Sequence, residues 1–288
     1  MKEIVIISGK GGTGKTSITA AFAYYAKEKI IVADCDVDAA DMHLLLQPDF
    51  SNESFFYSGL KASINQDNCT QCGNCYNACH FDAISMNGNA YIINVLNCEG
   101  CGYCEKICKT KAISMHKQMA GKSYISAIKT GSKMVHAYLN IGADNSGKLV
   151  AKVKKDARAI AKKESKEIIL IDGSPGIGCP VVSSLSGANF VVLVTEPSIS
   201  GIHDLKRVYE LVKKFKINAG CIINKSDINK EYNNKIRSFM KNENIFLIAE
   251  IPYNETFTKA MLEGKTIMEI DDKELIGIIK SSWHKINQ

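Results

Sequence analysis

Gly9-Lys10-Gly11-Gly12-Thr13-Gly14-Lys15-Thr16 has the residues of a loop that wraps phosphate. Glycines let backbone N–H groups close on phosphate oxygens without a side chain in the way. Lys15 offers a full charge to the terminal phosphates, and the Thr16 hydroxyl is placed for Mg²⁺. Two acidic groups could complete such a site: Asp34-Cys35-Asp36-Val37-Asp38, and Asp172 before Gly173-Ser174-Pro175-Gly176. Asp36 is suited to orienting an attacking or Mg²⁺-bound water, and Asp172 to holding the ion and its waters. A different chemistry is written in Cys69-x-x-Cys72-x-x-Cys75-x-x-x-Cys79 and Cys98-x-x-Cys101-x-x-Cys104-x-x-x-Cys108. These runs hold most of the 11 cysteines. In a cytosolic chain such clustering reads as metal ligation rather than disulfides.

The elements that must position these groups surround them. Ile4–Ile7 reads as a buried strand, and Ser17–Ala23 opens a helix that ends near Glu28. Strand, glycine loop and helix is the context a phosphate loop requires. The helix N-terminus adds partial positive charge there. Ile30–Ala33 is a second strand running into Asp34, Met42–Gln47 is a short helix stopped by Pro48, and Ile168–Ile171 is a strand ending in Asp172. Phe190–Val194, Ile217–Ile223 and Ile245–Ile251 then alternate as strands with helices over Ile202–Phe215 and Asn229–Met240. The expected fold is α/β, a doubly wound, mostly parallel sheet. Asn224 and Pro252 fall at strand ends on its ligand rim.

Asn145-Ser146-Gly147 caps a helix with an apolar face through Leu149, Val150, Val153, Ala157, Ile160 and Ala161, while Gln118 onward reads as irregular, with turns at Gly121 and Gly131. Cys35, Cys179 and Cys221 read as small buried residues. Asp271–Ile286 is amphipathic. Its polar face lacks the enrichment in Lys and Arg of a membrane-surface helix, which favours packing on the sheet.

The chain has 288 residues, 45% of them apolar, and a net charge of +6. That is enough for one large or two smaller domains. The basic residues are nearly all lysine, with Arg158, Arg207 and Arg237 the exceptions. Nucleic-acid readers lean on arginine, so no nucleic-acid partner is expected. With no signal peptide and no apolar run of membrane-spanning length, a cytoplasmic protein is expected, and membrane association is not.

Lys10, directly after the first glycine, resembles the deviant Walker motif of the MinD/ParA family, which includes the nitrogenase iron protein. The Asp172-x-x-Pro175-Gly176 segment is similar to that family's switch II. The resemblance implies an ATP-dependent homodimer in which Lys10 reaches the neighbouring subunit's nucleotide. It implies hydrolysis by Lys10, Lys15 and Asp36, with Mg²⁺ at Thr16, Asp36 and Asp172. It implies nucleotide binding by Gly9, Lys10, Gly11, Gly12, Thr13, Gly14, Lys15, Thr16 and Ser17, with Asn224 and Pro252 at adenine. Gly173, Pro175 and Gly176 would form the switch, one glycine N–H sensing the γ-phosphate. Asp41 stands where close relatives carry Asn.

The second cysteine run repeats the first. Gly73 matches Gly102, and Ala83-Ile84-Ser85-Met86 matches Ala112-Ile113-Ser114-Met115. The pattern resembles a bacterial two-cluster ferredoxin. In such a protein three cysteines wrap one cube and the fourth ligates the other. The resemblance implies one [4Fe–4S] cluster on Cys69, Cys72, Cys75 and Cys108, and a second on Cys79, Cys98, Cys101 and Cys104. The family's fourth cysteine is usually followed by Pro; here His80 and Lys109 follow. Proline shapes that turn and is no ligand, so ligation is unaffected. One cluster or zinc are the alternatives, although zinc sites typically pair two C-x-x-C units. His80 and His116 have no required role and read as surface residues.

Residues 1–62 and 118–288 are expected to form one P-loop domain, interrupted by a small α+β ferredoxin-like domain at 63–117. The whole resembles MinD-superfamily ATPases with an inserted ferredoxin domain. The implied function is an ATPase with ATP, Mg²⁺ and two [4Fe–4S] clusters, coupling nucleotide-driven dimer closure to electron transfer toward a redox protein partner. One alternative is an ATP-dependent cluster scaffold or carrier of the Mrp type, whose C-terminal C-x-x-C is absent after Cys108. Another is a redox-sensing positioning switch of the MinD/ParA type.

Overall fold

The computed structural model describes residues 1–287, which separate into two compact units. The chain opens with β1 (Lys2–Ile7), α1 (Lys15–Ala26), β2 (Ile30–Asp34), α2 (Met42–Leu46) and β3 (Ser54–Ile64). It continues with α3 (Asn74–Asn77), β4 (Ile84–Asn87), β5 (Ala90–Ile93), α4 (Tyr103–Ile107), β6 (Ile113–Ala127) and β7 (Lys133–Leu139). Then come α5 (Ser146–Lys163), β8 (Ile168–Asp172), α6 (Cys179–Leu185), β9 (Phe190–Thr195) and α7 (Ile199–Lys214). The last elements are β10 (Asn218–Asn224), α8 (Lys230–Asn242), β11 (Phe246–Ile251), α9 (Thr256–Leu262) and α10 (Lys273–Asn287).

The first unit comprises Met1–Ser54, Ser123–Tyr138 and Ser146–Gln288. Its strands lie in the order β11-β10-β9-β1-β8-β2-β7, and the pairs between them are parallel. These strands are β-branched and apolar because helices cover both faces of a parallel sheet. Ile4, Val5, Ile6 and Ile7 are all fully buried. The chain winds outward in both directions from β1, through β8 on one side and β9 on the other. The connection leaving the C-terminal end of β1 therefore lies at the switch point, where open α/β sheets bind ligands.

Helices α1 and α10 share a core in which Phe22 meets Trp283 at 5.5 Å between ring centroids. Leu275, Ile279, Trp283 and Ile286 of α10 are buried there, so the C-terminal helix packs on the sheet as its apolar stripe suggests. Buried Glu3 pairs with Lys154 at 3.2 Å and with Arg158, tying α5 to β1. Gly147 brings α5 close to α6: a Cβ there would sit 3.2 Å from Cys179 Cβ.

Two sequence expectations need correction. The stretch after Gln118 is not irregular: it is the end of β6, a turn at Gly131 (φ +82°), and β7. Gly121 lies inside β6, not at a turn. Cys179 is exposed, not buried, because it opens α6 at its first turn. Cys35 and Cys221 are buried as expected.

The second unit comprises Phe55–Lys122 and Leu139–Asn145. It takes in most of β3, which the sequence left unassigned, because β3 lies beside β6. The β4–β5 hairpin pairs Ile84 with Ile93 in antiparallel register. Helices α3 and α4 start from Gly73 (φ +76°) and Gly102 (φ +72°), a left-handed conformation that glycine adopts without strain. The repeat seen in the sequence is thus a repeat of structure. Its buried core is small: Ala62, Ala83, Cys98 and Ile113, with Cys75, Cys79, Cys104 and Cys108 packed against it.

Candidate functional site

The loop between β1 and α1 turns through Gly12 and Gly14, both at positive φ. Only glycine fits at position 14: a Cβ would lie 2.4 Å from Asn224 Nδ2. Lys15 is 5% exposed and points at carboxylates. Its Nζ lies 2.9 Å from Asp172 Oδ2 and 3.3 Å from Asp36 Oδ2. Thr16 Oγ1 donates to Asp172 Oδ2 at 2.8 Å. The Asp36 N–H donates to Asp34 Oδ1 at 3.1 Å, which brings a third carboxylate near the Lys15 pair.

The electrostatics follow from this crowding. Burial works to lower Lys15, but Asp172, Asp36 and Asp34 outweigh it and hold the ammonium above the usual lysine range. Burial pushes Asp34 well up, and repulsion from Asp172 adds to it. Burial also raises Asp36, against the pull of Lys15. Thr13 Oγ1 is buried without a hydrogen-bond partner. An orphaned hydroxyl inside a glycine loop fits a phosphate oxygen as its missing partner. Among the described residues, no group of three or more His, Cys, Asp or Glu side chains is arranged to hold a metal ion. At this site Lys15 sits among the carboxylates, and a divalent ion would draw its remaining ligands from phosphate and water.

Lys10 lies beyond this cluster. Its Nζ is 2.6 Å from Glu196 Oε1 and donates to Ser200 Oγ at 2.8 Å and Ser198 Oγ at 3.3 Å. The other Glu196 oxygen takes Lys225 at 2.8 Å, and Lys225 also donates to the Gly12 carbonyl. Burial alone would raise Glu196; the hydrogen bonds from Lys10 and Lys225 prevail and hold it below its ordinary range. Asn224 Nδ2 donates to the Thr13 carbonyl at 2.8 Å, while its Oδ1 accepts from the Lys225 N–H. Both ends of that carboxamide are therefore engaged in bracing the loop. Beside it lies a cavity of about 170 Å³ lined by Gly14, Ser17, Asn224, Tyr253 and Phe257, among others. Pro252 is not among its lining residues; Tyr253 and Asn254 are.

After β8, Gly173 N–H donates to the Ile6 carbonyl and Gly176 N–H to the Ser8 carbonyl, both at 2.9 Å. The segment after β8 is thus hydrogen-bonded to the β1 end of the site, with Pro175 half-buried between the two glycines.

In the second unit, a cavity of about 240 Å³ is lined by Cys79, Cys98, Cys101 and Cys104. These are the four cysteines of one expected ligand set. Apolar Phe81, Ile84, Ile93 and Met115 complete its wall. Of the other set, Cys75 packs on the small core, Cys69 is half-buried and Cys72 exposed. Cys108 Sγ accepts a hydrogen bond from the Ala112 N–H at 3.2 Å. His80 and His116 are exposed.

A family model for the CobQ/CobB/MinD/ParA nucleotide binding domain matches residues 4–267. The chain belongs to this family. It is a nucleotide-binding ATPase of the MinD/ParA type, and ATP with Mg²⁺ fits that membership. An uncharacterized protein of Methanocaldococcus jannaschii is 37% identical over 230 residues, 79% of each chain. A second uncharacterized protein of that organism is 27% identical over 94% of each chain. Among solved structures, the septum site-determining protein MinD with Mg-ADP from Pyrococcus horikoshii is 22% identical. It covers 98% of this chain and 94% of its own, at a TM-score of 0.58. MinD in the MinC:MinD complex of Aquifex aeolicus is 18% identical over 100% of this chain and 96% of its own, at 0.59. These structures share the fold.

Within this MinD/ParA-type frame, the structure gathers Lys15, Thr16, Asp36 and Asp172 directly. It holds Lys10 apart on Glu196. Two contributors escaped the sequence reading. Thr19 Oγ1 lies 2.9 Å from Asp172 Oδ1, one helical turn past Lys15. Its spacing on α1 was a usable signal. Glu196 follows β9, and only its position on the ligand rim could have marked it; Lys225, which the sequence places beside Asn224 on that rim, is held by Glu196 and the Gly12 carbonyl.

Proposed function

We propose that this chain is a nucleotide-gated electron carrier: ATP binding closes a homodimer, and closure changes how two [4Fe–4S] clusters exchange electrons with a redox protein. The observation that carries this reading is the presence of two separate sets of reactive groups in one chain. One is a phosphate loop with an engaged Lys15–Asp172 contact. The other is a cavity lined by four cysteines at ferredoxin spacing.

The cysteine-rich insertion, 63–117 from the sequence, would hold both clusters. Cys79, Cys98, Cys101 and Cys104 fit one, since thiolates on four different irons surround a volume and do not converge on a point. Cys69, Cys72, Cys75 and Cys108 would hold the second. The clusters would supply one-electron chemistry. The protein's own residues do the rest. The glycine loop and Thr13 hold phosphates, and Lys15 neutralises them. Asp36 orients water, and Thr16 with Asp172 serves Mg²⁺. Lys10 would leave Glu196 to reach the partner's nucleotide. Gly173, Pro175 and Gly176 would carry the nucleotide state away from the phosphates by giving up the contacts to Ile6 and Ser8.

The test is Lys15→Ala in the reconstituted full chain. It is expected to keep its iron and to lose any nucleotide-dependent change in electron transfer. Unchanged nucleotide dependence in this variant would sink the coupling. A second reading, a MinD/ParA-type switch whose nucleotide governs docking to a protein partner, draws support from the Aquifex MinD, which was solved in complex with MinC.

A further inference from the structure

We propose that the two clusters are inequivalent, and that the one on Cys69, Cys72, Cys75 and Cys108 has the higher reduction potential. This rests on the two-cluster assignment above. The internal repeat diverges just after its fourth cysteine: Cys79-His80-Phe81-Asp82-Ala83 in one copy, Cys108-Lys109-Thr110-Lys111-Ala112 in the other. Where one copy has a ring, the other has a hydroxyl.

The structure turns that divergence into different surroundings for two sulfurs. Cys108 Sγ accepts from the Ala112 N–H at 3.2 Å, and Thr110 Oγ1 lies 3.7 Å from it. Among the described residues, the Cys79 sulfur has no such donor. Phe81 instead lines the cavity with Cys79, beside Ile84 and Ile93.

Reduction adds negative charge to a cube, and part of it spreads onto the thiolates. A donor aimed at a thiolate stabilises the reduced form more than the oxidised form and raises the potential. An apolar wall opposes the added charge and lowers it. Cys108 crosses to the cube of the first run, so that cube gains the donors. Cys79 crosses to the cube of the second run, so that cube keeps the apolar wall. Two charges beside the second run oppose each other: Glu99 lines the cavity, and Lys61 Nζ donates to the Cys98 carbonyl. The copies differ in charge in the same direction, with Lys109 and Lys111 flanking Thr110 where His80 and Asp82 flank Phe81, and the sulfur contact is the part that a change at Thr110 isolates. The Cys108 cube fills first, and the Cys79 cube holds the more strongly reducing electron.

An anaerobic redox titration of the reconstituted full chain without nucleotide, read by EPR, tests this. Two resolved one-electron waves are expected. Thr110→Val, nearly isosteric, should move the higher wave to lower potential and leave the other in place. Phe81→Thr should raise the lower wave. A single unresolved wave, or two waves of which the higher ignores Thr110→Val, overturns the inequivalence while leaving the clusters themselves intact. A chain that takes up no iron and sulfide overturns the two-cluster assignment, and this inference with it.

Discussion

The nucleotide loop and the cysteine cavity are built in opposite ways. In the first unit the reactive groups hold one another. Lys15 bridges Asp36 and Asp172, Thr16 and Thr19 fasten Asp172, and Asn224 braces the loop from β10. Behind them stands a core with Phe22, Trp283 and buried strands from β1 to β11. In the second unit the reactive groups surround a space, and a core of four small or medium residues supports them. The first site is preorganised by the fold. The second would be organised by what it binds, as small metal domains are.

Removing iron should therefore separate the two regions most sharply. Chelation of the reconstituted protein is expected to open the chain between Lys61 and Lys122 to trypsin, while the first unit stays folded and still binds Mg-nucleotide. Equal loss of both functions would erase the distinction.

Lys15→Ala attacks the preorganised site. It leaves Asp34, Asp36 and Asp172 clustered without their cation, and a loss of about 3 kcal/mol at pH 7 is expected. The pH dependence has a definite sign. Asp34 and Asp36 are raised in the folded state, so the folded chain takes up protons before the unfolded one does. The variant should accordingly regain stability as pH falls toward the folded values. Urea midpoints at pH 7 and 5.5 measure this, and a variant that weakens further at pH 5.5 would contradict the carboxylate cluster.

A third, smaller effect is expected at His136 on β7. The residue is 1% exposed, its Nε2 lies 2.9 Å from Ser126 Oγ, and its Nδ1 has no partner. Tyr124 stacks on it at 5.2 Å, with Phe50 and Tyr138 around it. Burial first, then nearby His43, depresses its pKa to about 4, against a weak opposing pull from Asp49. A depressed histidine contributes stability above its unfolded pKa that is lost as pH falls from about 6.5 to 4. Between pH 7 and 5 this loss amounts to about 2 kcal/mol. His136→Phe should flatten the stability profile over that range.

The smallest effect is expected for Glu196→Gln, which releases Lys10 and Lys225 from a partly exposed carboxylate. Folding stability should change by about 0.5 kcal/mol after solvent screening. The sensitive readout is sedimentation with Mg-ATP, where dimers should form at lower protein concentration if Glu196 restrains Lys10.

Legibility in the sequence followed the same division. The central parallel strands β1, β2, β8 and β9 were readable because each is a short, almost fully buried apolar run, and Asp34 and Asp172 were readable because they end such runs. The phosphate loop and the cysteine repeat announced themselves through fixed spacing. β3 and β6 were missed because many of their residues are exposed and Ser, Lys and Gly interrupt the alternation that marks a strand; β7 is largely buried but was missed because Lys133, His136 and Tyr138 break up its apolar run, while the Gly131 turn between β6 and β7 was read correctly. Cys179 was misplaced because its burial depends on where α6 begins, which composition does not reveal. Glu196 was invisible as a partner for Lys10 because the pair is brought together only by the order β9-β1 in the sheet. Asn224 could be placed on the rim by its position at a strand end, but its bracing of the loop through the Thr13 carbonyl could not be read from sequence.

The central claim is that the two regions communicate through nucleotide. The most direct measurement is an anaerobic redox titration of the reconstituted protein, read by EPR, with and without Mg-ATP. A shift in potential or line shape on binding, abolished in Lys15→Ala, is the predicted result. Identical potentials and line shapes in both conditions would contradict it.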